Sequence, residues 1–66
     1  MKMFDSVKLV NNRNCLDIPV GSNGVILELF SSPSPAYLIE FFDAQGISLN
    51  SHIVYPQQII KIIHEK

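Results

Sequence analysis

Apolar and polar residues alternate along this chain in short runs, and turn-forming clusters separate the runs. In "FDSVKLV", Phe4 to Val10, Val7 and Leu9 share one face while Ser6 and Lys8 share the other, the period of two that marks a half-buried strand. "VILELF", Val25 to Phe30, predicts a second strand, with Val25, Leu27 and Leu29 on one side and Ile26 and Glu28 on the other. "AYLIEFF", Ala36 to Phe42, predicts a third, with Tyr37, Ile39 and Phe41 facing one way and Leu38, Glu40 and Phe42 the other. "ISLNSHIV", Ile47 to Val54, returns as a fourth. "NNRN" and "SSPSP" are loops, and "DAQG", Asp43 to Gly46, fits a type I hairpin turn with Gly46 in the left-handed region. "YPQQ", Tyr55 to Gln58, predicts a single 3₁₀ turn.

Two stretches have less regular patterns. "CLDIPVGSNG" follows no period, and Pro19 argues against a central strand because it has no N–H to give a ladder. "IIKIIHEK" reads either as a strand, with Ile60 and Ile62 opposed to Ile59 and Ile63, or as a short helix that gathers Ile59, Ile60 and Ile63. Its β-branched content and brevity favour the strand. Five short strands, a long irregular first connection and a 3₁₀ turn before the last strand predict an all-β domain, a small five-stranded SH3-like barrel spanning residues 1–66.

Gly21 and Gly24 raise the question of a phosphate-binding loop. A P-loop needs a wider glycine spacing, a following Lys-Ser/Thr and a helix; here a strand follows instead. A dinucleotide site needs a βαβ unit that this pattern does not supply. The expected role is structural: Gly21 turns the backbone after Pro19-Val20, and Asn23-Gly24 supplies positive φ before "VILEL".

The whole pattern "MFDSVKL … IPVGSNGVILEL … AYLIEFFDAQGISL … VYPQQI" resembles a family of uncharacterised small bacterial proteins, a domain-of-unknown-function family. Its members carry a Phe-Asp-x-Val-x-Leu strand, a Gly-x-x-Gly-x-Val turn and strand, Tyr-x-Val-Glu-Phe-x-Asp-x-x-Gly, and a Pro-containing turn before the last strand. Phe4, Asp5, Val7, Leu9, Gly21, Gly24, Tyr37, Glu40, Phe41, Asp43, Gly46 and Pro56 match, with Ile39 where the family often has Val. The chain departs from the family at "SSPSP" and in its Ile-rich C-terminus. The resemblance implies an SH3-like barrel and is compatible with an accessory, regulatory, immunity or antitoxin role beside a neighbouring protein. The Gly-x-x-Gly turn also looks like that of KOW modules.

Composition narrows the function. The chain has 66 residues, of which 47% are hydrophobic and 17% charged, a globular balance with a high apolar share for its length. A domain this small buries only about 60% of its unfolded surface, so either its core is unusually dense in Ile, Leu, Val and Phe or some apolar surface awaits a partner. Net charge is -1, and Lys2, Lys8, Arg13, Lys61 and Lys66 are scattered, which disfavours phosphate-driven nucleic-acid binding. The single Cys15 excludes an internal disulfide. With no signal peptide, apolar span or lipidation motif in the pattern, a cytoplasmic location without membrane contact is expected.

The chemistry-bearing residues form no set. Asp5, Asp17, Glu28, Glu40, Asp43 and Glu65 carry no pairing motif, and no serine lies in a nucleophile elbow. Glu40 is expected to be exposed or hydrogen-bonded, and Asp5 to cap a turn or hold the loop near Gly21. Cys15, His52 and His64 match no zinc spacing. The expectation is therefore a non-enzymatic module without cofactor or metal that binds another protein, encoded beside it, through Tyr37, Phe42, Tyr55, Ile60 and Ile63. Self-association through the C-terminal strand is a further expectation. The alternative is a KOW- or Tudor-like nucleic-acid module using Lys2, Lys8, Arg13 and Lys61 around an aromatic ring.

Overall fold

In the computed structural model, residues 1–63 are described, and they form one antiparallel sheet of five strands. The strands are β1 (Ser6–Leu9), β2 (Asn23–Phe30), β3 (Ala36–Phe42), β4 (Ser48–Val54) and β5 (Ile59–Lys61), with a 3₁₀ turn at Pro56–Gln58 leading into β5. Among the described residues no helix is long and apolar enough to cross a membrane. The spatial order is β4-β3-β2-β1-β5. The sheet does not close into a hydrogen-bonded barrel: β4 and β5 are its two edges.

The period-two pattern becomes the core. Val7 and Leu9 of β1, Ile26 of β2, Ile39 and Phe41 of β3, Val54 of β4 and Ile59 of β5 are buried together. The Ile-rich segment begins as a strand, Ile59–Lys61; Ile62 and Ile63 lie beyond it, and the last three residues of the expected strand fall outside the described residues. Residues directly opposite one another share a face, so Lys8–Ile60, Val25–Glu40–Ser51 and Leu38–Ile53 mark the outer face.

Three departures from the sequence pattern have physical causes. A register shift between Ile26 and Glu28 breaks strict alternation on β2, so Val25, Leu27 and Leu29 do not form one continuous buried row. Phe4 lies outside β1, with an exposed ring and φ of 68°, a strained value for a bulky side chain. Gly24 does not supply positive φ: it lies within β2 opposite Val7 and Phe41. Its task is close approach. A Cβ there would sit 2.5 Å from Ile39 Cγ2 and 3.0 Å from both the Glu40 carbonyl oxygen and Phe41 Cδ1.

Gly21 and Gly46 behave as the pattern requires, at φ of 97° and 82°. The Asp43–Gly46 turn is closed by Gly46 N–H donating to the Asp43 carbonyl at 3.0 Å, and Asp43 Oδ1 accepts from the N–H groups of Gln45 and Ile47 at 2.9 Å each.

The long connection from Val10 to Ser22 is the least regular piece and the one that completes the core. Gly21 N–H donates to Leu9 O at 2.7 Å and Leu9 N–H to Ser22 O at 2.9 Å, which pins its base. Within it Cys15 and Ile18 are buried against the strands. Ile18 N–H donates to Cys15 O at 2.9 Å, and Asn12 Nδ2 donates to Ile18 O at 2.9 Å, so the irregular backbone enters the interior with partners.

Replacing Gly24 with Ala is expected to cost about 1–3 kcal/mol, because backbone and core side chains rather than a flexible tip stand in the way. Urea unfolding checks it; a change within error would mean that β2 and β3 separate without cost.

Candidate interaction surface

The best-formed concavity lies where the long connection meets the 3₁₀ turn. It is a cleft of about 430 Å³ lined by Asn11, Arg13, Asn14, Tyr55, Gln57 and Gln58. Its frame is Gln58, a buried polar side chain within the apolar interior. Gln58 Oε1 accepts from Tyr55 N–H at 2.9 Å, and Nε2 donates to Asn11 O at 3.0 Å and to Asn14 Oδ1. The Gln58 carbonyl accepts from Val10 N–H at 2.7 Å and Asn11 N–H at 3.2 Å. Asn14 passes the link onward, its Nδ2 donating to Ile53 O on β4 at 2.9 Å. Two side-chain amides in series thus join the 3₁₀ turn beside β5 to the opposite sheet edge.

On this frame stand groups free to meet a ligand. Tyr55 is 42% exposed, and Arg13 is exposed and makes no ion pair among the described residues. The Arg13 backbone N–H donates to Asn11 Oδ1 at 2.9 Å, which fixes the turn carrying it. The cleft therefore offers an aromatic face, a guanidinium and amide groups, a set suited to an extended segment of another chain.

The long connection is held to β4 a second time. Asp17 accepts from Asn50 Nδ2 at 2.6 Å, and His52 Nε2 lies 2.9 Å from Asp17 Oδ1. The hydrogen bond from Asn50, then that from His52, hold the Asp17 carboxyl below the usual carboxylate range. Asp5 caps the N-terminal turn, accepting from Lys2 N–H at 2.9 Å with Lys61 Nζ 3.6 Å away. These contacts, the Lys2 N–H first, likewise hold its carboxyl low. Burial pushes the Cys15 thiol up.

The five residues expected to meet a partner do not converge. Tyr55 lines the cleft just described. Tyr37 is half-buried against the core opposite Leu29 and Val54. Phe42 lies at the far end of β3, beside the β3–β4 turn. Ile60 is exposed on the outer face opposite Lys8, and Ile63 is exposed near Phe4 and Asp5. Among the described residues the four cations of the nucleic-acid alternative do not form one patch: Lys2, through its backbone N–H, and Lys61 both meet Asp5, Lys8 lies on the outer face, and Arg13 stands in the cleft.

The remaining candidates have local partners. Glu40 Oε2 accepts from Ser48 Oγ at 2.8 Å. Cys15 is buried, His52 is beside Asp17, and His64 lies outside the described residues. No group of three or more His, Cys, Asp or Glu side chains is placed to hold a metal among the described residues. Sequence reasoning misses Gln58 and Asn14, which periodicity cannot mark. The one available signal is Gln58 three residues after Tyr55 at the start of a 3₁₀ turn, the spacing at which a side-chain amide reaches back to the turn's first N–H.

Replacing Gln58 with Ala is expected to cost about 2–3 kcal/mol, since Tyr55 N–H, Asn11 O and Asn14 Oδ1 each lose a partner. Asn14→Ala and the Gln58→Ala/Asn14→Ala pair should be non-additive in a denaturation cycle; simple additivity would mean the two amides act separately. Acid should also weaken the fold. Asp5 and Asp17 have lowered carboxyl pKa values, so their stabilisation is present above the unfolded value and lost as pH falls through the folded one. The melting temperature should drop as pH falls below about 4, and the Asp5→Asn/Asp17→Asn variant should show a shallower drop.

Compared with protein-family models, with curated proteins and with solved structures, the chain matches none.

Proposed function

We propose that this chain is a non-enzymatic, SH3-like interaction module that holds an extended segment of another protein in the cleft between the long connection and the 3₁₀ turn. The observation that carries the reading is the pairing of exposed Tyr55 and Arg13 on a frame locked by buried Gln58. A rigid frame limits the entropy lost on binding, and Tyr and Arg are the side chains that most often anchor interfaces.

The SH3-like assignment is supported by the strand order β4-β3-β2-β1-β5, the long first connection and the 3₁₀ turn before β5. It is also the fold that the resemblance to small bacterial barrels implies. In this reading the amide relay from Gln58 through Asn14 to Ile53 does the bridging that strand pairing does in a closed barrel. The partner is a protein encoded beside this one, and the setting is the cytoplasm, where a lone buried thiol stays reduced.

The test is size-exclusion chromatography with light scattering on the chain alone and co-expressed with its neighbour. A stable complex that Tyr55→Ser/Arg13→Glu weakens at least tenfold is expected. A monomer that ignores its neighbour, or a complex indifferent to the double variant, would count against the cleft. Electrophoretic retardation at low salt, where the electrostatic contribution is largest, separates this from the nucleic-acid alternative: no shift is expected.

A further inference from the structure

A second cleft, of about 530 Å³, lies between the later part of the long connection and the β3–β4 turn. Pro19, Val20, Phe42 and Leu49 give it an apolar lining, with Ser22 and Asn23 beside them. Asp17 and Asp43 also line it, and among the described residues no Lys, Arg or His does. We propose that this cleft receives an arginine side chain from a partner protein.

Charge and shape both point to that side chain. Asp43 accepts only from neutral backbone N–H groups, which orient the carboxylate without cancelling its charge. Asp17 is held by the neutral amide of Asn50 and by His52, whose ring is charged only when protonated. The cleft therefore sets two carboxyl groups beside the apolar side chains of Pro19, Val20, Phe42 and Leu49. A small anion is repelled, and a purely aliphatic side chain leaves two carboxylates desolvated without compensation. Arginine satisfies both halves: its methylenes cover Val20 and Leu49, and its planar guanidinium can stack on Phe42 while donating to carboxylates. Lysine supplies the charge but not the planar fork. The site is separate from the Tyr55 cleft, so either can fail without the other.

The experiment uses the full chain, labelled with ¹⁵N, and the capped tripeptide Leu-Arg-Leu. Its counterpart Leu-citrulline-Leu has the same shape without the charge. Saturable shifts confined to Gly21, Asn23, Ala44 and Leu49 are expected with the arginine peptide, and binding at least tenfold weaker with citrulline. The Asp17→Asn/Asp43→Asn variant keeps an acceptor oxygen at both positions, and its own spectrum reports that it is folded. It should lose the arginine preference, whereas Tyr55→Ser should keep it. Equal binding of the two peptides, an unchanged preference in the aspartate variant, or no saturable shift up to tens of millimolar overturns the proposal. So does a dimer in light scattering that Arg13→Glu dissolves, since the occupant is then a second copy of the chain.

Discussion

The structure depends on one buried side chain. Gln58 is polar in an interior of Val, Leu, Ile and Phe, and its side chain ties two separate segments, the 3₁₀ turn and the long connection, together. Its oxygen starts the 3₁₀ turn by taking Tyr55 N–H, and its nitrogen holds the long connection through Asn11 and Asn14. Burying an amide is costly without partners and tolerable with all of them. Here no buried side-chain polar atom among the described residues is left unpaired. The constraint is tight, because moving the turn, the connection or β5 breaks the same set of bonds.

The long connection, held in this way, divides its residues between two tasks. Among the described residues no α-helix covers the inner face of the sheet, and the connection takes that place by inserting Cys15 and Ile18. Its other residues face outward, Arg13 and Asn14 toward one cleft and Asp17, Pro19 and Val20 toward another. The segment that seals the core therefore also supplies most of the chemistry on the surface. Asn14 and Asp17 tie it to β4, so its outward groups are held against a rigid support. Binding loops are commonly mobile in the free state, and ordering them on contact weakens the complex. The connection here is instead anchored at its base, its middle and its contact with the sheet edge.

The strands are legible in the sequence because alternation is a local signal. β3 has the bounds that its apolar pattern predicts, and the turn at Asp43–Gly46 follows from the residues it contains. The type of the Ile-rich segment is legible too, since β-branching decides between strand and helix. Gly24 is misread because a glycine beside Asn looks like a turn, while its actual role depends on Ile39 and Phe41, distant in sequence. Ile18 and Gln58 are invisible for the same reason: neither lies in a periodic run, and each gains its role only when remote segments meet. The expected interface residues stand out in the sequence only as large and apolar. The fold scatters them because exposure is set by register and bulges, which a single strand does not encode.

The same geometry bears on the partner binding proposed for this domain. Its apolar surplus is real: among the described residues, large apolar side chains such as Leu16, Val20, Ile53 and Ile60 stand exposed on several different faces. Strand addition would be the obvious use of an open sheet, but the β4 edge is partly occupied. Asn14 occupies the Ile53 carbonyl, and Asp17 binds the side chains of Asn50 and His52, so an incoming strand must first displace the connection that also seals the core. β5 offers an edge of only three residues, too short for a ladder that offsets the entropy of ordering a partner strand. Edge pairing is therefore costly at one side and weak at the other. The clefts beside the connection need no such rearrangement, and this difference favours side-chain recognition there over β-augmentation.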